Sequence, residues 1–122
     1  MKNIIIKTKF SAIHRWPDCP IEEVSYLRNP HRHEFYVKVK APINHDDRDI
    51  EFIQFKRWIN RLYDQSVLQL DYKSCEMIAD DLYAEIANRY PGRAVWISVS
   101  EDDENGAFIQ YNTTQPVTLL KI

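Results

Sequence analysis

The sequence predicts an α+β fold: a sheet of four antiparallel strands with two helices packed on one face, in the order ββααββ. Three observations carry this. Residues 4–16 and 31–43 alternate apolar and polar side chains, the period of a strand. Ile50, Phe52, Phe55, Ile59 and Leu62 recur at helical spacing, as do Ile78, Ala79, Leu82 and Ile86. The stretches 94–101 and 107–112 alternate again on either side of the turn Asp102-Asp103-Glu104-Asn105-Gly106.

At 122 residues the chain reads as one domain, 1–122, able to bury roughly two thirds of its unfolded surface. Its formal net charge of -2 gives no electrostatic reason to expect nucleic acid or a membrane surface, so the expected partner is a small molecule or a protein. No apolar run approaches the twenty or so residues of a membrane span, and Met1-Lys2-Asn3-Ile4-Ile5-Ile6 is too short for a secretory signal; a cytoplasmic location is expected. The two cysteines, Cys19 and Cys75, do not make a disulfide scaffold and are expected to be reduced. Gly92 and Gly106 are the only glycines, which excludes glycine-rich phosphate loops and dinucleotide fingerprints.

In chain order, the first strand places Ile4, Ile6, Thr8, Phe10, Ala12 and His14 on one face. Pro17, Pro20 and Pro30 break the following segment into a loop, with a turn of helix at 22–27. The second strand, 31–43, points His31, His33, Phe35, Val37 and Val39 to one side and Arg32, Glu34, Tyr36, Lys38 and Lys40 to the other. Its cations are the ordinary means by which a strand edge discourages stray pairing. The first helix covers 51–63 with Asp49 as its cap, and 64–73 is a connector. Ser74 caps the second helix, which Pro91-Gly92 ends. Val95, Ile97 and Val99 share a face with Glu101 on the third strand. Trp58 and Tyr63 read as packing, Cys75 as a small buried residue, and Asp80-Asp81 as solvated. The tail, 113–122, is too apolar for a free end and is expected to dock. The uncovered face of the sheet is expected to need cover, which self-association would supply.

The chemistry concentrates in the histidines. His31 and His33 lie two apart on one strand and project from one face, so both can reach one metal ion. His14, at the far end of the first strand, is the candidate third ligand for Zn2+, and a three-histidine site keeps a fourth position for water or substrate. A polar strand mouth with nothing bound is the other reading of the same residues. His45 looks like a loop residue.

With the strands and histidines placed, the chain resembles the family of 6-pyruvoyl-tetrahydropterin synthase and 6-carboxy-tetrahydropterin synthase. Phe10-Ser11-Ala12-Ile13-His14 matches the family's Phe-Ser-Ala-x-His, and His31-Arg32-His33-Glu34-Phe35 matches its His-Gly-His-x-Phe. Glu51-Phe52, Ser74-Cys75-Glu76 and Val99-Ser100-Glu101 resemble its Asp-Phe, Thr-x-Glu and Val-x-Glu, so the likeness spans about residues 6–111. The resemblance implies a tunnelling fold whose subunits join edge to edge into a barrel, a homo-oligomer such as a hexamer or tetramer. It implies zinc on His14, His31 and His33. It also implies a pterin substrate whose amino and ring N–H groups are accepted by Glu101; without it, Glu101 reads as one acid of a solvated turn. The implied activity is that of a zinc-dependent carbon–oxygen lyase acting on 7,8-dihydroneopterin triphosphate.

The chain departs from the family in its acid–base groups. The family's catalytic cysteine, or the glutamate that some members use, stands a few residues before the histidine pair, and the positions 25–30 hold neither. Cys19, Glu22 or Glu23 would have to swing in from the loop as the base. Asp64-Gln65 aligns with the family's proton-relaying Asp-His, and glutamine cannot relay a proton. Arg32 replaces the glycine between the histidines. The alternative function is therefore a catalytically altered zinc-binding homologue that holds a pterin or guanine-like ligand without the usual turnover. A third reading keeps the fold only for assembly, with the histidines empty.

Overall fold

The structure, a computed structural model, describes residues 1–112. Alternating apolar stretches form strands β1 (Asn3–His14), β2 (His31–Pro42), β3 (Leu68–Asp71), β4 (Val95–Glu101) and β5 (Asn105–Tyr111), which lie in the order β3-β1-β2-β4-β5 in one sheet. The fold is α+β as expected, but the sheet is five-stranded and mixed, not four-stranded and antiparallel. The difference lies in the expected connector 64–73, which contains β3 running parallel to β1 beside Ala12, Ile13 and His14. Only four residues long, with Leu68 and Leu70 half-buried, β3 offers too little alternation to stand out from a loop.

The helices are α1 (Phe52–Leu62) and α2 (Cys75–Arg89), α1 packed against β1 and α2 against β4 and β5. A 3₁₀ segment, Glu22–Arg28, occupies the expected turn of helix and is kinked at Val24. One core joins the sheet's inner face (Phe10, Phe35, Val37, Ile97) to Phe55 and Ile59 of α1 and Ile78, Leu82 and Ile86 of α2. Tyr63 stacks on Phe10 with ring centroids 4.2 Å apart, and Trp58 packs on the core's border. Cys75 is buried as expected.

Two local expectations are corrected. The cap of α1 is Glu51, whose carboxylate accepts from the N–H groups of Ile53 and Gln54 at 2.9 and 3.0 Å. Asp49 instead accepts from the Asn44 N–H at 2.7 Å and from Arg93 Nη1 at 2.8 Å, tying the loop before α1 to the loop before β4. Asp80 is not left to solvent, because the buried Tyr111 hydroxyl donates to it at 2.6 Å. The expected docking of 113–122 lies outside the described residues. No helix among the described residues is long and apolar enough to cross a membrane.

Candidate metal centre

The β1–β2 register creates the site. Phe10 pairs with Phe35, Ala12 with His33 and His14 with His31, so the end of β1 and the start of β2 bring three imidazoles onto the inner face. The ring centroids of His14 and His31 are 4.5 Å apart, those of His31 and His33 5.0 Å, and those of His14 and His33 5.5 Å. One ring nitrogen from each lies within 4.8 Å of the other two, so the group can hold a metal ion. Phe35 sets an apolar floor, its ring edge-on to His14 and to His33. A hydrophobic floor beside a metal site limits solvent access.

Each imidazole has its Nδ1 beside an acceptor. His14 Nδ1 is 2.8 Å from the Lys73 carbonyl, His31 Nδ1 2.9 Å from the Asn29 carbonyl, and His33 Nδ1 2.6 Å from the Asp102 carboxylate. These acceptors place the proton of the neutral ring on Nδ1, which leaves Nε2 a lone pair for a metal. Fixing tautomer and ring angle in this way is what the outer shell of a histidine–metal site does.

Glu101 pairs with Phe35 across β2 and β4 and so faces the histidines. Its carboxylate lies 3.0 Å from His14 Nε2 and 3.6 Å from His33 Nε2. Buried His14 Nε2 has no hydrogen-bond partner once its proton is on Nδ1, because it then faces a carboxylate oxygen, acceptor against acceptor. Such a juxtaposition calls for a cation between the two atoms, either a proton or a metal ion. Burial works against a charged His14, but the Glu101 carboxylate and the Lys73 carbonyl outweigh it and raise the His14 pKa. The same proximity, led by His14, lowers the Glu101 carboxyl, and the His33 contact lowers that of Asp102. Three inward-facing nitrogens, one orphaned, together with an adjacent carboxylate, fit a divalent ion of the zinc type.

The remaining expected site residues lie elsewhere. Cys19 is buried, with its thiol 3.7 Å from the carbonyl oxygens of Ile21 and Val24, inside the loop that Trp16 N–H and Leu27 C=O close at 2.7 Å. Asp64 and Gln65 are exposed beyond α1 and line a separate cleft of about 350 Å³ beside Ser11 and Glu34. Cys75, at the start of α2, has its thiol pushed up to about 12 by burial and by the Glu101 and Glu76 carboxylates, which keeps it a neutral thiol. Asp102 was not among the expected site residues. Its signal was the run of acids in a turn, which the sequence offers equally as solvated charge. No family model matches the chain, and no curated protein matches it.

Proposed function

We propose that the chain is a zinc-dependent lyase of the 6-pyruvoyl/6-carboxy-tetrahydropterin synthase type, acting on 7,8-dihydroneopterin triphosphate. The observation that carries this reading is the convergence of three imidazoles, one ring nitrogen from each within 4.8 Å of the others, with every Nδ1 beside an acceptor. His14, His31 and His33 hold the zinc, which supplies a Lewis acid for the side-chain oxygens of the substrate and for the negative charge that develops as a proton leaves. Glu101 keeps 31% of its side-chain surface exposed, enough to accept two N–H donors from a flat heterocycle in a bidentate pairing. Subunits assemble in the manner of a tunnelling fold. In support, the outer edges of β5 and of β1 from Asn3 to Ser11 pair with no other strand among the described residues, and such edges invite strand addition.

A second reading, a zinc-binding homologue that holds its ligand without turnover, draws on the acid–base groups. The Cys19 thiol is turned to backbone carbonyls, and the Asp64-Gln65 cleft contains none of the three histidines. Metal analysis combined with turnover of 7,8-dihydroneopterin triphosphate tests both. The lyase reading expects one zinc per chain, with turnover that E101Q removes while zinc is retained. Zinc without turnover leaves the second reading standing, and a chain that takes up no zinc overturns both.

A further inference from the structure

The face of the sheet opposite the histidines carries a charge pattern that the metal site does not use. Lys7 stands directly across from Lys38 in the β1–β2 register, and like charges placed directly opposite on paired strands cost stability. Lys9 follows on the same face of β1, and Lys56 reaches the same place from α1. These four lysines border one shallow groove of about 800 Å³, with Ser98 and Ser100 of β4 on its far side and Asp103 at its rim. Among the described residues the ion-paired lysines are Lys2 and Lys73, so none of the four is neutralised by a carboxylate. Residues 113–122 contain no acidic side chain that could reach them.

Edge protection does not account for Lys38. It lies on β2, between β1 and β4 in the middle of the sheet, where no edge needs guarding. A second copy laid face to face is disfavoured as well, since it would set lysines against lysines. Asp103 is the one carboxylate on the groove against four lysines, so the groove is short of negative charge that several point cations and hydroxyl donors can share. Lys7 and Lys9, two residues apart, spread positive charge over about 7 Å of strand, which suits a chain of phosphates better than a single one. Single-stranded nucleic acid is the weaker fit, because it needs free ring faces on which bases stack. Here Lys9 lies over the Tyr36 ring at 5.6 Å and Lys40 over the Trp96 ring at 5.1 Å, which leaves Phe108, 67% exposed and paired with Ser98, as a single uncapped ring where a run of bases needs several.

We propose that this open face is a binding site for an oligophosphate, with Lys7, Lys9, Lys38 and Lys56 as the cations and Ser98 and Ser100 as hydroxyl donors. The site is independent of the metal centre. The test is calorimetric titration of the full chain with inorganic tripolyphosphate, alongside melting curves in tripolyphosphate and in sulfate at equal ionic strength. Tripolyphosphate should bind and raise the melting temperature more than sulfate does. The K7Q and K38Q variants should each bind it about tenfold or more weakly. Without ligand both should melt at or above the parent temperature, because each relieves the Lys7–Lys38 repulsion. H33A should bind tripolyphosphate like the parent, which separates this site from the zinc reading. The proposal is overturned if tripolyphosphate acts no differently from sulfate, if the lysine variants bind it unchanged, or if the chain binds oligothymidylate and not tripolyphosphate.

Discussion

Of the three acceptors that aim the imidazoles, only the Asp102 carboxylate can be removed by substitution, since Lys73 and Asn29 contribute backbone carbonyls. Asp102 also accepts from the Glu34 N–H at 3.0 Å and has a φ of 56°, a left-handed conformation that Asp and Asn tolerate better than other side chains. D102N keeps an acceptor and the backbone but loses the charge, whereas D102A loses both. Zinc affinity by chelator competition should fall in the order parent, D102N, D102A, the last by about 10–100-fold. Asp49 makes a different residue-scale test. The Asn44 N–H and then Arg93 hold its carboxyl below the usual carboxylate range. A lowered folded pKa contributes stability that is present above the unfolded value and lost as pH falls through the folded one. The melting temperature of D49N should therefore lie below that of the parent near neutral pH, and the gap should narrow as pH drops below about 3.9. The role of Asp49 was not legible in the sequence. Asp49 and Glu51 are both acids just ahead of α1, and only the partner Arg93, 44 residues away, distinguishes them.

The elements position the site through two ends that are easily disturbed. Ser74 accepts from the Met77 N–H at 3.2 Å and starts α2 immediately after Lys73, whose carbonyl holds His14. S74A should cost about 1 kcal/mol in urea unfolding, with the loss of one cap. At the other end, a Cβ on Gly106 would run into the Val99 carbonyl oxygen and Ser100 Cα of the neighbouring strand. G106A should push β5 off β4 and cost about 1–3 kcal/mol by overpacking, measured by the same unfolding curves. Strands β1, β2, β4 and β5 and both helices were legible because each repeats its period over several residues. Strand β3 was not, since its parallel pairing with β1 is a long-range contact that a four-residue segment does not announce.

For the molecule as a whole, the His-x-His pair was legible as one face of a strand and His14 as its candidate third ligand, but the strand pairing that brings His14 onto that pair was not. That depends on register: a one-residue slip of β1 against β2 would send His14 to the opposite face, where the lysines stand. The net charge of -2 likewise averages over two faces with different chemistry, histidines and carboxylates on one and, on the other, lysines with no ion-pair partner among the described residues. If zinc joins the end of β1 to the start of β2, it binds an arrangement that exists only when the sheet is in register, so its binding energy adds to folding. At a free zinc concentration about a hundredfold above the dissociation constant, the gain is about 2.7 kcal/mol. For a domain of this size, that raises the melting temperature by about 10 °C. The parent should lose this increment in chelator and recover it with zinc, while H14A/H31A/H33A should melt at one temperature in both conditions. A parent whose melting temperature ignores zinc and chelator alike would show that the three imidazoles, however well aimed, do not share an ion in the folded chain.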